Sequence, residues 1–158
     1  MLLDKLRVLG VVTRAVLSLR APSSQLSLQV TRREADLYRH LNNARYLSFM
    51  DLGRWDLTLR SGMAAQLFRD RLSPVAVQIE IEYRRELPLG QAFILDTRWV
   101  EVIGKTLVCE QLFLVGDRVH ARAQVRVLLR GASGVAAPSA YRVFVSSRHR
   151  LGGPRDRG

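Results

Sequence analysis

The sequence has few of the residues that build disulfides or zinc sites. Its 158 residues include one cysteine, Cys109, and three histidines. A single thiol cannot form a disulfide within the chain, and so small a set of cysteines and histidines offers no cluster for structural zinc. The sequence therefore excludes a disulfide scaffold, favours a reducing cytoplasmic compartment, and indicates neither a metal nor another cofactor.

Lysine is nearly absent, although the chain is strongly basic. Lys5 and Lys105 are the only lysines among 25 basic residues, and the formal net charge is +11. The arginines are scattered along the chain, with no basic run interleaved with aromatic residues. We interpret the charge as a generally basic surface and expect no dedicated nucleic-acid site.

The sequence also lacks a membrane-spanning segment, because no uncharged apolar run reaches the roughly 18 to 20 residues that such a helix needs. Residues 1–22 instead predict an amphipathic helix. Asp4, Arg7 and Arg14 fall in one narrow stripe of an otherwise apolar helix, and Pro22 ends it. Such a helix can pack on the domain or on a partner subunit, or it can rest on a membrane surface, which would make the protein peripheral to the inner membrane.

The remaining residues predict one folded domain, 23–147, and a basic disordered tail, 148–158. The domain begins with a strand at 25–33 and a helix at 42–61, and continues with four or more strands joined by tight turns. Short connections favour antiparallel neighbours, because parallel strands need long crossovers. The pattern predicts an α+β fold in which one long helix lies against one curved antiparallel sheet.

Two of the predicted strands alternate strictly between apolar and polar residues, 75–83 and 119–129. This alternation predicts that one face of each strand is buried. A further short strand is predicted at 141–145. Because a single sheet of five or six strands exposes its edges, and because edges can pair across a two-fold axis, we expect a homodimer.

The predicted helix is apolar on nearly all sides. One continuous face consists of Tyr46, Phe49, Met50, Gly53 and Leu57, and further apolar residues lie on the far side. A helix of this kind is expected to be wrapped by other elements. The glycine in the middle of the first face lowers helix propensity, which indicates a close approach to the sheet.

The residues that could carry chemistry lie just before this helix. A carboxylate, Asp36, precedes an imidazole, His40, and two amides, Asn42 and Asn43. The first N–H groups of a helix carry partial positive charge, so they can stabilise an oxyanion while a nearby carboxylate attacks an acyl carbon or directs water to it. Turn and capping roles explain the same residues equally well, and the residues alone leave both interpretations open.

This segment resembles a known family. The spacing Asp36-x-x-x-His40-Leu41-Asn42-Asn43-x-x-Tyr46-x-x-Phe49 is similar to the signature of hotdog-fold thioesterases of the 4-hydroxybenzoyl-CoA thioesterase-like superfamily, and also to that of acyl-acyl carrier protein thioesterases. The likeness covers residues 26–130. It implies a hotdog fold, in which a curved antiparallel sheet wraps around one long helix, and assembly as homodimers or dimers of dimers with active sites between subunits.

The resemblance implies a thioesterase that hydrolyses an acyl-CoA or acyl-carrier-protein thioester. Asp36 matches the nucleophile or general base, and the backbone amide of Asn43 matches the oxyanion donor. His40 and Asn42 match residues that support the site or orient water. The basic surface would attract the phosphates of coenzyme A.

Other matched positions have a structural alternative, and two depart from the family pattern. Tyr46 and Phe49 would contact the acyl chain or fill the core, and Asp51, where many relatives have glutamate, could form a salt bridge along the helix. Arg39 stands where many relatives have glycine, and Tyr38 where the carrier-protein branch often has asparagine. These departures leave open a non-catalytic domain that binds acyl-CoA or a protein partner. A hydratase or dehydratase is a third alternative, although those enzymes carry a different histidine motif.

Overall fold

The computed structural model describes residues 23–145. The predicted N-terminal helix, 1–22, and the predicted tail, 148–158, lie outside the described residues, so both stay predictions. The elements in chain order are β1 (Ser24–Gln29), α1 (Asn43–Arg60), α2 (Met63–Arg69), β2 (Ser73–Tyr83), β3 (Ala92–Ile103), β4 (Thr106–Val115), β5 (Arg118–Gly131), β6 (Gly134–Val135) and a final 3₁₀ helix (Pro138–Phe144). None of the helices described is long and apolar enough to span a membrane.

The strands form one antiparallel sheet in the order β1-β3-β4-β5-β2, and β6 pairs with β5. The hairpin turns contain Gly104 and Gly116, whose φ angles of +57° and +56° are accessible mainly to glycine. This arrangement leaves β1 and β2 at the two edges of the main sheet. The predicted α+β layer of one long helix on an antiparallel sheet is confirmed.

The limits predicted for α1 are also confirmed. The side chain of Asn42 caps its start, where Oδ1 accepts the N–H of Ala44 at 2.9 Å. The helix ends at a C-cap, Ser61, and the following Gly62 has a left-handed φ of +80°. Both ends therefore follow from local capping chemistry that the sequence carries.

The apolar face of α1 packs onto the sheet. Phe49 is buried against Phe93, with ring centroids 5.5 Å apart. At Gly53 an added Cβ would lie 2.5 Å from Oγ1 of Thr97 and 3.0 Å from the side chain of Leu95. The close approach predicted from this glycine is confirmed, and it sets how near the helix lies to β3.

The far side of α1 differs from the prediction. Trp55 is 51% exposed, and Leu52 and Leu59 are only partly buried. The sheet covers one face of the helix within this chain and does not reach the opposite face. The helix is therefore not wrapped on all sides by its own domain.

The apolar face of β2 is not buried, which corrects a second prediction. Its exposed apolar side chains are Val75 (39%), Val77 (50%), Ile79 (40%) and Tyr83 (48%). A register shift between Ala76 and Gln78 puts Val75 on the opposite face from Ile79 and Tyr83, and Val77 lies within this bulge. The strand lies at the sheet edge, and the described residues leave Ile79 and Tyr83 partly exposed. The alternation therefore identified a continuous apolar face only for the part of the strand after the bulge.

The end of the domain also differs from the prediction, since the expected strand at 141–145 is a 3₁₀ helix. Pro138 at its start has no N–H for a sheet ladder. Tyr141 turns inward, is 1% exposed, and donates its hydroxyl to Oδ2 of Asp70 at 2.7 Å. This contact fastens the segment next to the short helix α2, which the sequence analysis did not predict.

Candidate functional site

A cavity of about 460 Å³ opens beside the start of α1. The loop before the helix and the segment after β2 form its walls. Polar and aromatic residues on these walls are Asp36, Tyr38, His40, Asn43, Tyr46, Tyr83, Arg84, Arg85 and Glu86. Four of the six site residues predicted from the sequence therefore face one cavity.

Asp36 is held by the backbone of its own loop. Its Oδ1 accepts the N–H groups of Tyr38 and His40 at 2.9 and 3.1 Å, and its N–H donates to the carbonyl oxygen of His40 at 2.8 Å. The residue is half-buried, and Oδ2 takes no part in these bonds. The loop thus fixes the carboxylate through one oxygen and leaves the other outside that network.

The tight turn of this loop depends on Arg39, which has a left-handed φ of +64°. A non-glycine residue in this region costs roughly 1–2 kcal/mol. The resemblance pointed to this position as one where many relatives have glycine. The departure at Arg39 therefore keeps the left-handed turn at the expense of local strain.

The start of α1 lies beside the same cavity. Asn42 uses its side-chain oxygen for the N–H of Ala44 and its carbonyl oxygen for the N–H of Arg45, at 2.9 and 2.8 Å. Neither bond uses the N–H of Asn43, a residue that lines the cavity. The positive end of the helix dipole therefore lies beside the Asp36 loop.

Two tyrosines line the cavity next to the helix. The rings of Tyr46 and Tyr83 meet edge to face with centroids 5.0 Å apart, and Tyr46 also packs on Phe113 at 4.8 Å. Burial raises the pKa of Tyr46 to about 12, and burial also raises the pKa of Tyr83. Both hydroxyls are protonated at neutral pH and can donate hydrogen bonds into the cavity.

His40 meets a residue that the sequence analysis did not identify. Its Nε2 lies 3.2 Å from Oε2 of Glu86, on the segment that links β2 to β3. The same segment is joined to the helix start by backbone bonds, from the N–H of Leu41 to the Leu87 oxygen at 2.8 Å and from the N–H of Leu89 to the Arg39 oxygen at 2.7 Å. These long-range bonds bring Glu86 into the cavity.

The wall from Tyr83 to Glu86 was not predicted from the sequence. A run of charged residues between a strand and the Leu87-Pro88 turn is a signal that could have marked it. Two arginines on this wall, Arg84 and Arg85, share the cavity lining with the carboxylates of Asp36 and Glu86.

Two predicted residues lie away from the cavity wall. Asn42 caps the helix, and Phe49 is 3% exposed in the core. Asp51 forms the salt bridge expected along the helix, with Oδ1 3.1 Å from Nη2 of Arg54. Among residues 23–145, no group of three or more histidine, cysteine, aspartate or glutamate side chains could hold a metal ion.

The family model of the thioesterase-like superfamily matches residues 30–140, more than half of the chain. The chain belongs to this superfamily. It is 31% identical over 88 residues to the long-chain acyl-CoA thioesterase FadM of Escherichia coli (strain K12), a match that covers 56% of this chain and 67% of that protein. It is also 35% identical over 86 residues to Protein THEM6 of Danio rerio, a match that covers 54% of this chain and 43% of that protein.

Solved structures of thioesterases have the same fold. The probable thioesterase YbaW from Escherichia coli is 26% identical with a TM-score of 0.71, and the match covers 76% of this chain and 94% of that one. A Thermus thermophilus thioesterase complexed with coenzyme A and Zn, 24% identical with a TM-score of 0.66, shows the fold alone. The match covers 78% of this chain and 92% of that one. The predictions of a hotdog fold and of a thioester hydrolase are confirmed.

Proposed function

We propose that this thioesterase hydrolyses an acyl-CoA, with Asp36 as nucleophile or general base and the Asn43 amide as oxyanion donor. One observation carries the proposal, namely that a half-buried carboxylate and the first residue of a long helix line the same cavity. Local hydrogen bonds fix the Asp36 carboxylate, and the Asn42 cap fixes the start of the helix, before any substrate arrives. Preorganised groups of this kind stabilise a developing charge without reorganising during the reaction.

The reaction follows from these two groups. Asp36 attacks the thioester carbonyl carbon, or takes a proton from a water that attacks it. The carbonyl oxygen becomes negative in the tetrahedral intermediate, where the Asn43 N–H and the helix dipole stabilise it. When the C–S bond breaks, the thiolate leaves and takes up a proton. If water attacked, its oxygen is already part of the acid product. If Asp36 attacked, water then hydrolyses the mixed anhydride, which releases the acid and restores the carboxylate.

Two guanidinium groups on the cavity wall favour coenzyme A as the carrier. Arg84 and Arg85 stand on this wall, and guanidinium groups bind phosphates through paired hydrogen bonds. The related FadM is a long-chain acyl-CoA thioesterase. A carrier-protein thioester has the phosphopantetheine arm but lacks the nucleotide phosphates, so it would use this charge less.

We test the function with Asp36→Asn, because asparagine keeps the Oδ1 acceptor of the loop and removes the charge. We expect kcat for thiol release from acyl-CoA to fall by about 10²–10⁴, with the melting temperature unchanged. Asp117→Asn, in the exposed turn between β4 and β5, is the matched control and should retain full activity. An unchanged rate in Asp36→Asn would remove the assignment, and tight binding of acyl-CoA by the wild type without thiol release would favour the non-catalytic alternative.

We further propose that two copies pair through β2. Within residues 23–145 one edge of this strand has no partner strand, and after the bulge its apolar face stays partly exposed at Ile79 and Tyr83. Tyr83 at its end lines the cavity, so the site would lie next to the subunit interface. An isologous pair would place the same strand on both sides of a two-fold axis.

A charge on the apolar face of β2 tests this pairing. Ile79→Lys should weaken the dimer by about 100-fold or more, because the two-fold axis places the change in the interface twice. Glu80→Lys puts the same charge on the polar face of the strand and should leave the dimer intact. Light scattering after size-exclusion chromatography measures both, and a dimeric Ile79→Lys variant or a monomeric wild type would refute the pairing.

A further inference from the structure

Glu86 lies outside the motif that carries the family resemblance, yet it contacts a residue within that motif. Its Oε2 is 3.2 Å from Nε2 of His40, and both residues line the cavity. The two belong to different parts of the chain, the loop before α1 and the link from β2 to β3. The contact therefore exists only because the fold brings these two segments together.

The backbone that presents Glu86 is fastened by one residue of β5. The carbonyl oxygen of His120 accepts the N–H groups of Arg84 and Arg85 at 2.9 and 3.0 Å. Its ring Nδ1 lies 2.9 Å from the carbonyl oxygen of Glu86. Since a carbonyl oxygen can only accept, the ring donates its Nδ1–H there. Three hydrogen bonds from His120 thus fix the segment that carries the carboxylate.

The contact between Glu86 and His40 contributes little to folding. The side chain of Glu86 is 74% exposed and that of His40 is 35% exposed. Ion pairs and hydrogen bonds at this exposure are screened by water and add little to stability. The contact instead orients the imidazole ring of His40. When a carboxylate accepts Nε2–H, Nδ1 of the neutral imidazole is left as an acceptor.

We propose that Glu86 is a positioning residue that holds the His40 imidazole in the orientation used by the hydrolytic reaction. The proposal rests on the proposed function. It adds a residue that the motif does not contain, together with a fastening point for that residue, His120. Glu86 itself touches neither the attacking oxygen nor the acyl carbon and acts through His40.

Kinetics of a double-mutant cycle test the proposal. Glu86→Ala should lower kcat about fivefold to tenfold and leave KM within about twofold, because one orienting hydrogen bond is lost. Glu86→Gln keeps an acceptor oxygen at the same reach and should recover at least about half of the lost rate. In a His40→Ala background, Glu86→Ala should cost nothing further.

A matched control and a stability measurement separate positioning from folding. Asp117→Ala removes another carboxylate from an exposed turn and should leave kcat unchanged. The melting temperature of Glu86→Ala should stay within about 2 °C of the wild type. A further loss in the His40→Ala background, or a Gln variant no better than Ala, would overturn the proposal.

A measurement without substrate distinguishes failure of this proposal from failure of the proposed function. Diethylpyrocarbonate acylates neutral imidazole nitrogen, and peptide mass spectrometry reports the rate at His40. Glu86→Ala should raise that rate severalfold, because the ring is no longer held as the Nε2–H tautomer and can present a lone pair at Nε2, while Asp117→Ala should not change it. An unchanged rate would overturn the proposal even if the enzyme is active. If the wild type releases no thiol, the proposed function fails, and a raised rate at His40 would still support the contact.

Discussion

Two aspartates stand at opposite ends of α1 and show how burial decides what a carboxylate can do. Asp56, near the C-terminal end, is fully buried, accepts the hydroxyl of Ser24 on β1, and lies 2.6 Å from Nε of Arg60. Asp36, before the N-terminal end, is half-buried in a cavity and accepts backbone N–H groups. The first carboxylate ties the helix to the sheet, and the second is open to a substrate.

The polar atoms around Asp56 are buried, but not all of them are hydrogen-bonded. Within the described residues, Oδ1 of Asp56 and Nη2 of Arg60 are buried without a hydrogen-bond partner. A buried pair of this kind holds the fold together, because losing one member leaves an uncompensated charge in a poorly polarisable interior. Burial beside Arg60 therefore gives Asp56 a structural role, whereas the half-buried Asp36 remains accessible to a substrate.

Removing Asp56 should give the largest loss of stability. We expect Asp56→Ala to lower the free energy of unfolding by about 3–5 kcal/mol, since Arg60 remains buried without its partner. Asp36→Asn, whose loop bonds survive, should change it by less than about 1 kcal/mol. Urea unfolding of both variants measures the contrast, and equal losses would show that the Asp36 loop is as important for folding as the buried pair.

The loss of stability at alkaline pH tests whether water reaches the Tyr46 hydroxyl. The pKa of Tyr46 is raised to about 12, so between pH 10 and pH 12 the unfolded chain releases this proton and the folded chain does not. Stability from the protonated hydroxyl is thus complete below pH 10 and is lost as pH rises to 12, by about 3 kcal/mol. Tyr46→Phe should show a loss smaller by that amount in urea unfolding followed from pH 9 to pH 12. Parallel curves for the two proteins would mean that water reaches the hydroxyl.

The sequence was informative wherever the chemistry is local. The Asp36 loop, the Asn42 cap and the end of α1 at Gly62 depend on neighbours a few residues away, and the predictions for the helix limits hold. Gly53 was informative for another reason, because an unfavourable residue in a helix needs a compensating close contact. The family motif lies in the loop before α1 and in the first turns of this helix. Most of its residues therefore line one cavity.

Long-range pairing set the limit of prediction. Glu86 reaches His40 only through backbone bonds between the helix start and the link after β2, and no periodicity reports such bonds. Asp56 and Arg60 resemble a surface pair at helical spacing, although the sheet buries both. The β2 pattern predicted a buried face, and the described residues leave that face partly exposed.

The smallest expected effect is a change in stability from the backbone strain at Arg39. This residue lies in the Asp36 loop, and the helix that follows is unstrained. Glycine adopts a φ of +64° without steric cost, but it also loses more backbone entropy on folding. The two effects nearly offset each other, so Arg39→Gly should raise the free energy of unfolding by at most about 1 kcal/mol. Arg39→Val should lower it, because a β-branched residue fits this region worst. Thermal unfolding of the two variants tests the order, and a Val variant as stable as Gly would mean that the loop changes its backbone to avoid the strain.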